Sequence, residues 1–207
     1  MKTRLSALAV AAAAALVIAL PAQAAEKGEL LHDANITVNH LKSDPAFATA
    51  ARMMRNARAV YIVPHLVKGG FIFGAEGGSG VLVRRTGNGW GEPKFYDLAS
   101  ASFGFQAGLQ SAELVFIINS QRALDGITHG NFKLGGQAGI TVATLSSGAE
   151  GATTARGGDI VVWSSGTGLF GGVAFNGSVI SPDKDKNATP TTGADAQALR
   201  ANLATVR

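Results

Sequence analysis

The residues able to do chemistry are few, and their spacing argues against catalysis. Four histidines, His32, His40, His65 and His129, stand outside any HExxH-type arrangement. His32 and His40 lie more than two helical turns apart, too far to share one ion, and His65 could meet His129 only if the fold joined them. There is no cysteine, which removes thiol nucleophiles and thiolate metal sites. Ser79 sits in Gly77-Gly78-Ser79-Gly80, but Val81 occupies the glycine position that a GxSxG nucleophile elbow requires, so turn chemistry accounts for it better. Gly166-Thr167-Gly168-Leu169-Phe170-Gly171 satisfies GxGxxG, yet the residues that follow read as strand where a dinucleotide fingerprint needs a helix N-terminus. Asp183-Lys184-Asp185-Lys186-Asn187 copies the first three ligand positions of a calcium loop, but Ala188 replaces its turn glycine and Ala194 its bidentate glutamate. The expectation is a protein without catalytic residues, cofactor or metal.

What remains is a set of cations. Lys68, Arg84, Arg85, Lys94 and Lys133 fall near predicted strand ends and loops, with Arg52 and Arg55 on a predicted helix. Such residues either form a solvated surface or gather into a patch for phosphate groups. Arg84 and Arg85 are adjacent, so their side chains start on opposite faces of a strand. The turn Thr86-Gly87-Asn88-Gly89 ends that strand and would let both reach one anion, with Lys68 or Lys94 supplying a second charge. As exposed residues, both arginines are expected to be dispensable for folding. Trp90 either anchors at an interface or caps the sheet.

The elements that must position these side chains are two helices followed by strands. Glu26–Lys42 reads as a helix because Leu31, Ala34, Val38 and Leu41 recur at helical spacing. Asp44 and Pro45 then offer an N-cap and a first helical position for a second helix ending near Ala57. On that helix Phe47, Ala50, Met53, Met54 and Ala57 gather on one side and Arg52, Arg55 and Asn56 on the other, a pattern suited to lying on a sheet or on a membrane surface. Val60–Val63 is a short apolar strand stopped by Pro64. Gly70–Ala75 is a second, broken by Gly77-Gly78, and Val81–Val83 a third. Glycine repeated along a strand marks a sheet that is tightly curved or closely approached. Further strands are expected at 102–110, 113–119, 132–145, 159–165 and 169–176, with a short helix capped by Ser120 and running to Ile127. Sequential strands with short turns imply antiparallel pairing. The fold class is therefore α+β, with N-terminal helices packed on a curled, barrel-like antiparallel sheet. A single domain over 25–185 is followed by a tail, 186–207, of different composition with a possible short helix over 194–206.

The order apolar run, proline, Lys68-Gly69-Gly70-Phe71, then Gly77-Gly78-Ser79-Gly80-Val81-Leu82 resembles the SYLF-domain family of lipid-binding proteins, whose Ysc84-like members bind actin. The likeness continues through Gly89–Tyr96, Ser102–Gly108, Phe132–Gly135 and Gly168–Val173, and covers roughly 46–185. Family members often carry Tyr-Tyr-Gly where this chain has Thr191-Thr192-Gly193. The resemblance implies a binding role, with anionic phospholipid headgroups as partners of the cations above. A structural or protein-interaction module of the cell envelope is the alternative.

Lys2 and Arg4, an apolar stretch from Leu5 to Leu20, and Ala22-Gln23-Ala24 form the pattern of a cleaved signal peptide over residues 1–24. The expected address is the periplasm or the exterior, in soluble form with peripheral membrane association. Removing Lys2 and Arg4 takes two from the 18 cations, leaving them nearly balanced by 14 acids. So mild a balance argues against nucleic acid, which calls for a concentrated basic stripe.

Overall fold

The computed structural model describes residues 4–69, 73–87, 89–103, 110–136, 139–146, 158–165 and 177–206; for 4–22, 68–69, 73–76, 101–103, 110–111 and 146 it describes the backbone. The chain begins with helices α1 (Arg4–Ser43) and α2 (Phe47–Asn56). Strands β1 (Ala59–Gly69), β2 (Phe73–Thr86), β3 (Gly89–Trp90), β4 (Lys94–Phe103) and β5 (Gln110–Ile118) follow. Then come α3 (Gln121–Thr128), β6 (Phe132–Lys133), β7 (Val142–Ser146), β8 (Ile160–Ser164), β9 (Val179–Pro182) and α4 (Ala194–Ala204). The sheet runs β6-β9-β4-β2-β1-β5-β8-β7, with β3 paired to β2 alone. It is a curled, predominantly antiparallel sheet with helices beside it, so the α+β expectation holds. One pair departs from it: β7 lies parallel to β8, with Val142 opposite Ile160.

The strands are apolar on both faces because both faces are covered. Val60, Ile62, Val81, Val83, Val115, Ile117, Val161 and Trp163 point to one core, which they share with α1, α2 and α4. Their neighbours in sequence, among them Tyr61, Val63, Leu82, Leu114, Phe116 and Val162, point to a second core closed by α3 and Phe132. The period-two alternation thus feeds two cores rather than one core and solvent.

Pro64 does not stop β1. The strand continues through it, and its register slips by one residue against both neighbours, between Ile62 and Val67 on the β2 side and between Val63 and Leu66 on the β5 side. A proline lacks the N–H that a central strand must donate, and a bulge is where a sheet accommodates that loss. Nor do Gly77 and Gly78 break β2, which is one strand of 14 residues. A Cβ at Gly78 would stand 2.4 Å from the His65 carbonyl oxygen, and one at Gly80 would stand 2.5 Å from that of Ile62 and 2.6 Å from the Tyr61 ring. The glycines let β2 close onto the bulged part of β1, the close approach that their repetition in the sequence suggested.

Other local readings shift by smaller amounts. The Asp44 carboxylate accepts from the Ala46 N–H at 2.7 Å, but the helix proper starts at Phe47. Ser120 caps α3 by accepting from the Ala123 N–H. The expected strand over 132–145 is two strands, β6 and β7, because the chain turns at Leu134–Gly136, where the Leu134 N–H donates instead to the Ser178 carbonyl. The strand expected over 169–176 and most of that over 102–110 lie outside the described residues. The tail set apart by composition joins the first core through α4, whose Ala196, Leu199 and Leu203 are buried against α1.

Candidate basic site at the junction of helix two and the sheet

Helix α2 ends just before β1 begins, and the link between them is Ala57 and Arg58. The Arg58 N–H donates to the Ile118 carbonyl at 2.7 Å and its carbonyl accepts from the Arg85 N–H at 2.8 Å, so the backbone is fixed between β5 and β2 while the side chain is exposed. Arg84 stands opposite Ala59 in the β1–β2 ladder, and Arg85 opposite Trp90 in the β2–β3 pair. As the alternation of a strand requires, the two side chains leave on opposite faces.

Arg85 serves the fold. Its Nε donates to the Ala57 carbonyl at 3.0 Å and its Nη2 to the Met54 carbonyl at 2.6 Å, while the guanidinium lies 4.3 Å from the Trp90 ring centroid. Carbonyls at a helix C-terminus have no intrahelical partner and carry the negative end of the helix dipole, and a cation there answers both needs. Trp90 is buried, which makes it a cap on the sheet rather than an exposed anchor. Arg85 is thus half-buried and bonded to the helix end, where the sequence reading had it exposed at a strand end.

Arg84 is exposed, and among the described residues neither it nor Arg58 is paired with a carboxylate. Burial raises the Tyr96 hydroxyl above its ordinary pKa, and the positive charge of Arg84 works against that rise. Arg58, Arg84 and Arg85 border one cleft of about 230 Å³ with Asn56 and Gln121. Gln121 is the first residue of α3, so the positive end of that helix dipole also lies at the cleft. Arg52 and Arg55 are exposed on α2. The apolar side of that helix faces the core through Ala50, Ala51 and Met54, with Phe47 and Met53 packed beside them. Of the two surfaces it could have covered, α2 covers the sheet.

The remaining expected site residues stand elsewhere. Lys94 pairs with Glu92 at 3.1 Å. Lys133 is exposed on β6, opposite Val179, at the edge of the sheet. The Lys68 side chain lies outside the described residues. Its backbone pairs with Glu76, nine residues along β1 from the Ala59–Arg84 pair and so roughly 30 Å away at 3.3 Å per residue. The site therefore gathers Arg84 and Arg85, with Arg52 and Arg55 on the adjoining helix, and omits Lys68 and Lys133. It adds Arg58, which the sequence reading missed although Arg52, Arg55 and Arg58 recur at intervals of three.

The other candidate chemistry is absorbed by structure. His40 Nδ1 bonds Glu113 at 2.8 Å, His65 Nε2 bonds Asp33 at 3.1 Å, and His129 Nδ1 donates to the Asp125 carbonyl at 2.7 Å. Among the described residues no group of three or more potential ligands could hold a metal. The Ser79 hydroxyl donates to Asp97 at 2.8 Å. Asp183 is held by the Lys186 ammonium at 2.9 Å and the Lys186 N–H at 2.9 Å; burial works to raise its pKa, but these contacts hold it below the ordinary carboxylate value. Asn187 bonds both the N–H and the carbonyl of Phe95. The calcium-like segment is thus a structural clasp. The GxGxxG segment lies outside the described residues.

Residues 99–190 match the Ysc84 family, described as a Las17-binding protein actin regulator. LAS seventeen-binding protein 3 of Saccharomyces cerevisiae is 30% identical over 170 residues, which is 78% of this chain and 37% of that protein. This chain carries a Ysc84-family domain. The human SH3 domain-containing YSC84-like protein 1 is 32% identical over 149 residues, 70% of this chain and 43% of its own length. Protein YSC84 of yeast is 32% identical over 140 residues, 65% of this chain and 30% of the relative. The chain thus spans less than half the length of these curated relatives. Among the described residues no helix is long and apolar enough to cross a membrane.

Proposed function

We propose that this chain is an exported, non-enzymatic binding module that docks peripherally on anionic lipid through the basic corner at the end of α2. The observation that carries this reading is the pair Arg58 and Arg84, two exposed guanidiniums without a carboxylate partner, bordering one cleft beside the first turn of α3. A guanidinium takes phosphate oxygens bidentately, and a surface rich in phosphate offers many such groups at once. Near an anionic membrane each cation contributes about 1 kcal/mol, so removing both as Arg58→Gln with Arg84→Gln should weaken binding roughly 30-fold. Flotation with phosphatidylglycerol-rich vesicles, against vesicles of phosphatidylcholine alone, tests this. Equal flotation with both would remove the headgroup reading.

Export is supported by the signal-peptide pattern over 1–24. Intact mass of the secreted product should correspond to a chain starting at Ala25; retention of 1–24 refutes this.

A second reading, a protein-interaction module of the envelope, draws on the relatives, whose names describe binding to another protein. The same corner would then meet an acidic protein surface. A defined cross-linked partner, with no flotation on anionic vesicles, favours it.

A further inference from the structure

Helices α1 and α4 pack side by side and run in the same direction. The Asn202 Nδ2 donates to the Asn35 Oδ1 at 2.7 Å, and the two residues stand 167 apart in sequence. The same offset relates Asp195 to Gly28, where a Cβ would stand 3.5 Å from the Asp195 Oδ2. Two matched levels, about two turns apart on each helix, fix a parallel pair. By that offset Ala25 is level with Thr192, one residue before the N-cap of α4.

Parallel helices bring the like ends of their dipoles together. Lys42 meets this need at the C-terminal end. Its ammonium donates to the Asn202 carbonyl at 3.0 Å and to the Thr205 hydroxyl at 2.6 Å, beside the last turn of both helices. At the other end α4 starts beside Gly28, whereas α1 continues back to Arg4. The N-cap of α4, Gly193, offers no capping side chain, and Asp195 is the acid of its first turn. Among the described residues the Asp195 carboxylate has no ion-pair partner. The Lys27 ammonium is bonded to the Thr189 carbonyl and hydroxyl at 3.1 and 2.9 Å, Glu26 pairs with Lys186 at 2.7 Å, and Glu29 is exposed. Gln23, Ala24, Lys27 and Gly28 of α1 border one cavity of about 220 Å³ with Asp195.

We propose, on the reading that residues 1–24 are removed, that this cleavage completes a latch between the two helices, in which the Ala25 α-ammonium pairs with the Asp195 carboxylate. Ala25 lies one turn before Gly28, about 4.5 Å along the axis. Before cleavage its nitrogen is an amide inside a continuous helix, and Gln23 and Ala24 wall the cavity. Hydrolysis of the Ala24–Ala25 peptide bond consumes one water, leaves a carboxylate on the departing Ala24 and an ammonium on Ala25. The amides of residues 25–28 lose their helical partners in the same step. Asp195 then faces a cation and the positive ends of both dipoles, as Lys42 faces the negative ends. The latch is absent before processing and present after it.

The test starts from the intact mass of the exported protein. In product that begins at Ala25 the α-amine is acetylated at about pH 6.5, where lysines stay protonated, and thermal unfolding is compared before and after. A free cation at a helix N-terminus is unfavourable, so acetylation there ordinarily raises stability. The latch reverses that sign: acetylation should lower the Tm by about 1–3 °C, as loss of one exposed ion pair would. In Asp195→Asn, shown to be folded by circular dichroism, acetylation should raise the Tm. In Glu29→Gln, which removes the carboxylate one turn along α1, it should lower the Tm as in the unaltered protein. A raised or unchanged Tm in the acetylated unaltered protein, the same loss in Asp195→Asn, or its disappearance in Glu29→Gln would each overturn the latch and leave processing established. Retention of 1–24 would overturn the processing reading and the latch with it.

Discussion

Arg85 lies over Trp90 at 4.3 Å while donating to the last carbonyls of α2, so one side chain joins the helix, the β2 strand and the β2–β3 turn. Its neighbour Arg84, on the other face of the same strand, is exposed. Arg85→Gln is therefore expected to destabilise the protein by about 2–4 kcal/mol, from the loss of charge-assisted bonds and the ring contact. Arg84→Gln should change stability by less than about 0.5 kcal/mol, as exposed substitutions generally do. Urea unfolding of the two variants measures the contrast, and equal destabilisation would dissolve the division of labour between them.

The glycines of β2 make a sharper comparison. Gly78→Ala places a methyl group 2.4 Å from the His65 carbonyl oxygen, whereas Gly77→Ala places one 3.6 Å from that of Leu98, an ordinary contact. The first change forces the strands apart at the β1 bulge and should cost about 3 kcal/mol or more, in the range of severe overpacking. The second should be tolerated. If thermal unfolding shows both variants alike, the close approach of β2 to the bulge is not a feature of the folded protein.

Stability should fall on the acid side. Glu92 is held below its ordinary value chiefly by accepting from the Thr191 N–H, and Asp159 chiefly by its bond from Ser120 and then by those from Thr141. A carboxylate whose folded pKa lies below its unfolded one stabilises the fold above the unfolded value, near pH 4, and that stabilisation disappears as pH falls through the folded value. Denaturation midpoints should accordingly be flat near neutrality and decline below about pH 4. In Asp159→Asn the decline should be shallower, because one of the depressed carboxylates is gone. A steeper acid limb in that variant would reverse the sign of the effect.

Helix α4 should behave as part of the core. Leu199 is fully buried against α1. Leu199→Ala should cost about 2–5 kcal/mol, the usual range for a large-to-small change at such a site. A cost near zero, with early proteolysis of residues 186–207, would mark the segment as an appendage after all.

The local elements were legible because their signals are local. Leu31, Ala34, Val38 and Leu41 repeat at helical spacing and all are buried; Ser120 announces α3 by its capping chemistry, and the glycines of β2 announced a close approach. What no window of sequence contained was the identity of each neighbour. Pro64 reads as a strand stop because its missing N–H is a local fact. Only pairing with both β2 and β5 shows that a bulge absorbs the loss. The parallel β7–β8 pair escaped for the same reason, since register between strands is decided across space. The sequence puts Arg84 and Arg85 on opposite faces of a strand end but does not say which face is covered, and packing leaves one in solvent and the other beneath the end of a helix thirty residues earlier. Arg58, a linker residue in sequence, becomes part of the basic cleft only because β1 folds back between β2 and β5. Composition and periodicity determined the helices, the strands and the absence of recognisable catalytic motifs. Which cations meet, and which one the fold keeps for itself, was decided by long-range packing.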